Sequence, residues 1–217
     1  MRIAIAGAGN VGRAIARELL GNGHQVLLID KDPKALKLES VPNAEWLLAD
    51  ACEIAALDQA KLDGCQVLVA ATGDDKVNLV ASLLGKTEYG VPRVVARVNH
   101  PKNEWMFDSS WGVDVSVSTP QIISALVEEA VSIGDVVRLF SFRKGEANLV
   151  EITLPDTASC CGKTVGEVEL PENAALAAIV RDTHVITPKD HDVFTAGDEL
   201  LFVASSVAEE KLKSCFI

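Results

Sequence analysis

The chain has 217 residues, 48% hydrophobic and 24% charged, which suits one large or two small domains with well-buried cores. Its net charge of −11 disfavours nucleic acid as a partner, because an acidic surface repels phosphate backbones. No run of about 18 consecutive apolar residues is present, so no membrane span is expected, and MRIAIAGAGNVG turns glycine-rich too soon for a secretory signal. Five irregularly spaced cysteines read as reduced cytosolic thiols, with the vicinal Cys160-Cys161 as two small residues at a turn or, alternatively, a redox switch. His24, His100, His184 and His191 have no metal-ligand spacing, so no metal is expected.

Residues 2–6, RIAIA, form a short apolar run that ends at glycine and predict a buried strand. Residues 11–22 place Val11, Ile15, Leu19 and Leu20 at helical spacing, with Gly23 as the stop. QVLLID, 25–30, predicts a second strand. From Asp32, DPKALKL has an N-cap Asp and a Pro at the first helical position, which predicts a helix. A third strand follows at 44–50, a short helix at 53–60, a fourth strand at 66–73, a helix at 75–86 and a fifth strand at 92–98. A helical turn at 103–109 and a sixth strand at 113–118 complete the pattern. Strands alternating with helices, apolar on both faces, predict an α/β, doubly wound, Rossmann-like parallel sheet.

The rhythm changes at Thr119-Pro120. PQIISALVEEAVSI reads as a helix with Ile122, Leu126 and Ile133 on one side and Ile123 and Ala130 beside them, too apolar for an isolated surface. Strands then dominate, at 136–142, 147–154, 174–182, 184–188 and 198–205, with turns at RKGE, PDT, Asp182-Thr183 and TAGD. Short helices are expected at 162–170 and 207–215. The expected division is 1–118, a crossover helix at 119–134, and a small α+β domain at 135–217.

The glycine motif follows a strand and opens a helix, with an acid at the end of the next strand. Gly7 permits the tight turn, Gly9 lets the backbone approach a pyrophosphate, and Gly12 lets helix and sheet pack. Amides of the first helical turn then point at negative charge. Asp30 can accept from both hydroxyls of an adenosine ribose and would repel a 2′-phosphate, so NADP is disfavoured. Asp50 ends the third strand and Thr72-Gly73-Asp74-Asp75 the fourth; each acid here is either a ligand contact or a helix cap. Arg97, inside an apolar strand, needs an acid or a phosphate as partner. No Tyr-x-x-x-Lys pair accompanies the motif, no His-Asp pair stands in a credible position, and the only candidate acid or base, His100, has no obvious orienting acid. No catalytic residue is therefore assigned, and a small NAD-dependent oxidoreductase is the alternative reading.

GAGNVG, IDKD, LLADA, ATGDDKVNLVASLL and RVVARVNHP, in this order, resemble the regulatory subunits of bacterial Trk/Ktr potassium-uptake systems, the TrkA family, over the whole chain. The resemblance implies an RCK N-terminal nucleotide-binding domain, a crossover helix and a C-terminal TrkA-C domain. It implies a cytoplasmic protein, peripheral to the inner face of the membrane, that binds NAD(H) or ATP/ADP. Such a protein self-associates as a dimer and a ring, or pairs with a paralogue, docks on a membrane-embedded potassium transporter and gates it without making or breaking bonds. It also implies a C-terminal domain that takes a small effector, cyclic di-AMP among them. By resemblance, Gly7, Ala8, Gly9, Asn10 and Val11 line the phosphates. Asp30 takes the ribose with Lys31 beside it, Asp50 and Ala51 lie at the adenine, and Thr72 and Gly73 lie along the phosphate side. Arg97 reaches the site or a neighbouring subunit. Two departures weaken an ATP γ-phosphate clamp: Asn10 stands where ATP-holding members often carry Arg, and Gln121 where some carry Glu near a cation. Both tilt the reading towards NAD(H) or a diphosphate.

Overall fold

The computed structural model describes residues 1–131, 134–142 and 147–217. They fall into two compact units, Met1–Pro120 and Gln121–Ile217.

In the first unit, β1 (Arg2–Ala6), β2 (Gln25–Asp30), β3 (Glu45–Leu48), β4 (Val67–Ala70), β5 (Arg93–Val98) and β6 (Val115–Ser118) form one sheet in the order β3-β2-β1-β4-β5-β6. Every pairing is parallel. The alternation in RIAIA explains the two-sided burial. Ile3 and Ile5 enter one core with Ala16, Leu28 and Val69, while Ala4 and Ala6 enter the other with Leu57, Leu68 and Leu79. The helices α1 (Asn10–Gly21), α2 (Ile54–Gln59) and α3 (Asp75–Thr87) supply the covering layers. This is the doubly wound arrangement, with chain direction across the sheet reversing between β1 and β4. The crevice outside the strand ends at such a point is where this fold takes ligands.

α4 (Thr119–Val131) leads into the second unit. There β7 (Val137–Ser141), β8 (Asn148–Thr153), β9 (Ala174–Arg181), β10 (His184–Ile186) and β11 (Glu199–Ala204) form a sheet in the order β10-β9-β11-β8-β7. All its pairings are antiparallel. α5 (Ser206–Phe216) buries Ala208, Leu212 and Phe216, and Phe216 meets Phe194 and Phe202 edge-on at 5.5 and 5.2 Å.

Two expected helices do not form. After Asp32 the chain makes only two short 3₁₀ turns, Pro33–Ala35 and Leu38–Ser40. The Asp32 cap forms, accepting from the Lys34 amide, but Leu38 is 56% exposed, so no apolar face is buried to carry a longer helix. Within 162–170 only Val165–Glu167 is helical. There the Thr164 amide and hydroxyl both donate to Glu167, closing a single turn, and Val168 and Leu170 then turn into the core. The helical turn expected at 103–109 is instead 3₁₀ at Pro101–Met106, followed by Ser109–Trp111. Residues 132–133 of the expected crossover helix, Ile133 included, and the RKGE turn at 143–146 lie outside the described residues.

Candidate functional site

A cleft of about 610 Å³ opens at the carboxyl ends of the first sheet. It is bordered by Gly7, Gly9, Asn10, Val11, Asp30, Lys31, Asp50, Ala51, Thr72, Gly73 and Arg97, together with Ile29, Ala49, Ala71, Asp74 and Val77. Two residues of the glycine motif counted with the nucleotide site, Ala8 and Gly12, do not border it. Ala8 is fully buried, and its amide donates to Asp30 Oδ2 at 2.7 Å. Gly12 faces the loop behind α1, where a Cβ would stand 1.9 Å from the Gly7 carbonyl oxygen. Gly7 has φ of +107°, and a Cβ there would lie 2.8 Å from the Thr72 amide nitrogen.

Gly9 is different. Its φ and ψ of −67° and −172° suit any residue, and a Cβ would meet no protein atom within 4 Å. The protein itself does not require glycine there, whereas a ligand packed against the backbone would. Gly9 caps α1 without a side chain, and no acid stands in the first turn. The α1 N-terminus thus presents its positive end to the cleft.

Each charge at the rim has a particular partner. Asp30 Oδ2 accepts from Ala8 and Oδ1 from the Asp32 amide at 2.9 Å, which fixes the carboxylate and leaves each oxygen a further lone pair. Lys31 Nζ meets Asp50 Oδ2 at 3.1 Å, while Asp50 Oδ1 accepts from the Cys52 amide. The Cys52 amide and then Lys31 hold the Asp50 carboxyl below the usual range, and the Asp50 contact raises Lys31. Burial pushes the neighbouring Cys52 thiol up to about 11. Arg97 stands apart: its Nε is buried and, among the described residues, has no hydrogen-bond partner. A buried donor left without a partner costs about 1–3 kcal/mol, and Arg97 as a residue also lines the cleft, where its cation suits an anionic group.

Two buried polar residues that hold this arrangement, Arg13 and Asn78, escaped the sequence reading, and a third, Asp75, was read there only as a ligand contact or a helix cap. Arg13, 8% exposed, donates to the Ala8 carbonyl and, at 2.7 Å, to Asn10 Oδ1, and so pins the glycine loop. Asn78 binds Thr72 and the Arg97 carbonyl. Asp75 accepts from Asn99, His100 and Asn103, whereas Asp74 is the cap of α3, accepting from the Lys76 amide. The available signal was a charge or amide on a helix face that otherwise buries apolar groups. The His100 side chain is exposed and does not border the cleft. Among the described residues no cluster of His, Cys, Asp and Glu could hold a metal, and no helix is long and apolar enough to cross a membrane.

Residues 3–119 match the TrkA-N domain and residues 149–216 the TrkA-C domain. The chain belongs to the TrkA family. It is 56% identical over 212 residues to the Trk system potassium uptake protein TrkA of Mycobacterium tuberculosis, covering 98% of this chain and 96% of that one. It is 31% identical to a TrkA homologue of Archaeoglobus fulgidus over 222 residues, all of this chain but 50% of the relative, so some TrkA relatives are twice as long. The fold matches the GsuK RCK domain with a TM-score of 0.66 at 17% identity, over 99% of this chain and 47% of that one. It also matches the GsuK channel bound to NAD with a TM-score of 0.68 at 18% identity, over 98% and 39%.

Proposed function

We propose that the cleft binds an adenine nucleotide through its phosphates, NAD(H) or ATP/ADP and not NADP, and that this TrkA family member is a regulatory subunit of a potassium-uptake system and not an enzyme. The observation that carries the nucleotide reading is the pairing of Gly9, whose missing side chain no protein atom requires, with the cationic Arg97 lining the same cleft. Asp30 is fixed to receive a ribose diol and would repel a 2′-phosphate. The relatives named for potassium uptake and the NAD-bound channel of like fold support the role.

In this reading 1–118 is the nucleotide-binding domain, 119–134 the crossover helix and 135–217 the TrkA-C domain, which would receive an effector such as cyclic di-AMP. The chain works in the cytoplasm against a membrane-embedded transporter. Ile122, Ile123, Leu126 and Val127 are 39–57% exposed on α4, which supports self-association through that helix. The oxidoreductase alternative gains no support, since His100 stands outside the cleft. A thermal-unfolding panel of NAD, NADH, ATP, ADP and NADP tests the reading. A ligand at 100 times its Kd adds about 2.7 kcal/mol of stability. NAD(H) or ATP/ADP should raise the melting temperature and NADP should not; indifference to all five ends the proposal.

A further inference from the structure

We propose that Asn78 is the positioning residue for the phosphate end of the cleft, and that the wall it builds favours a nucleotide with two linked phosphates over a monophosphate. This rests on the nucleotide binding proposed above. Asn78 is fully buried on α3 and does not itself border the cleft. Its Oδ1 accepts from the Thr72 amide at 2.9 Å and the Thr72 hydroxyl at 2.6 Å. Its Nδ2 donates to the Thr72 carbonyl at 3.2 Å and the Arg97 carbonyl at 2.9 Å. Both sides of the carboxamide are therefore committed, and they tie the chain just after β4 to β5.

Two consequences follow for the cleft wall. Thr72 spends its amide on Asn78, and its single hydroxyl proton is shared between Asn78 and the Asp74 carbonyl, so it offers an anion little. Anion recognition on this wall falls to Arg97, whose main chain Asn78 fixes. Asp75, three residues earlier on the same face of α3, braces the assembly. It accepts from the Asn99 amide and side chain, and Asn99 Nδ2 also donates to the Thr72 carbonyl at 3.0 Å. The other anion-binding element, the α1 N-terminus, follows β1. β1 and β5 lie either side of β4, so they are two strand spacings apart, about 9–10 Å. Two phosphates in line engage both elements; a single phosphate engages one fully and the other poorly.

Calorimetry of AMP and ADP on the full chain, native and Asn78→Asp, tests this. The substitution keeps the shape but turns an acceptor towards the carbonyls of Thr72 and Arg97. Native protein should bind ADP about tenfold or more tighter than AMP, as expected for an added charge-assisted contact. Asn78→Asp should lose about tenfold on ADP and less than about threefold on AMP, approaching the behaviour of Arg97→Gln. Equal losses on both nucleotides would make Asn78 merely structural and overturn the proposal, as would native protein that binds AMP and ADP alike. Native protein that binds neither nucleotide removes this inference and the reading beneath it together. Should Asn78→Asp not fold, Asn99→Ala removes one donor to Thr72 and should cost ADP about two- to threefold with AMP unchanged; an equal loss on AMP overturns the proposal.

Discussion

Gly9 and Gly12 lie one helical turn apart, and alanine at each should fail in a different way. At Gly12 the new Cβ would sit 1.9 Å from the Gly7 oxygen, against an ordinary C···O approach of about 3.3–3.6 Å. α1 and the loop must separate by more than an ångström, and overpacking of this kind costs about 1–3 kcal/mol. The loop cannot yield easily, because Gly7 already sits at positive φ against Thr72. At Gly9 the Cβ meets nothing and the backbone suits alanine, so the loss is confined to N-cap preference, a few tenths to about 1 kcal/mol. The same methyl stands where a phosphate would meet the backbone, and loss of that approach should weaken binding by about tenfold or more. Thermal unfolding without nucleotide and calorimetry with ADP or NAD separate the two. Gly12→Ala should lower the melting temperature by several degrees, about 2–8 °C per kcal/mol for units of this size. Gly9→Ala should barely move it, yet bind poorly. A Gly9→Ala protein with native affinity would refute the reasoning, since the space at Gly9 would then be vacant for reasons unrelated to a ligand.

Asp30→Ala should weaken nucleotide binding about tenfold or more by calorimetry, because it removes the diol acceptor and frees the Ala8 amide that shapes the loop. In the second unit, burial alone would raise the Asp198 carboxyl, but Arg181 and Thr195 outweigh burial and hold it low. A carboxylate with a depressed native pKa contributes stability above its unfolded value of about 3.9, and that contribution is lost as pH falls through the lower native value. Acid unfolding of this unit should therefore steepen below about pH 4, and Asp198→Asn should flatten that slope while costing about 2–3 kcal/mol at neutral pH. Leu126→Asp, on the exposed apolar side of α4, should shift the chain towards monomer in sedimentation velocity. An unchanged oligomer would remove α4 from the interface.

The parts of this protein that were legible in its sequence share a physical origin. Gly7 and Gly12 are glycines because no Cβ fits, Asp30 ends an apolar strand, and RIAIA alternates between two cores; each is a local constraint written in residue type. Of the two helices that failed, the one after Asp32 was forecast from its start signals. Asp32-Pro33 and Thr164 with Glu167 do close their first turns, but a cap supplies about 1 kcal/mol and cannot replace a buried face. Arg13 and Asn78 were missed for the opposite reason. Most of their partners are main-chain atoms, the carbonyls of Ala8, Thr72 and Arg97 and the amide of Thr72, which every residue possesses and no residue type advertises. A buried amide on a helix is worth questioning for that reason. Nothing in its chemistry favours that place unless several backbone groups there already lack partners, and strand ends beside a ligand cleft are where such groups collect.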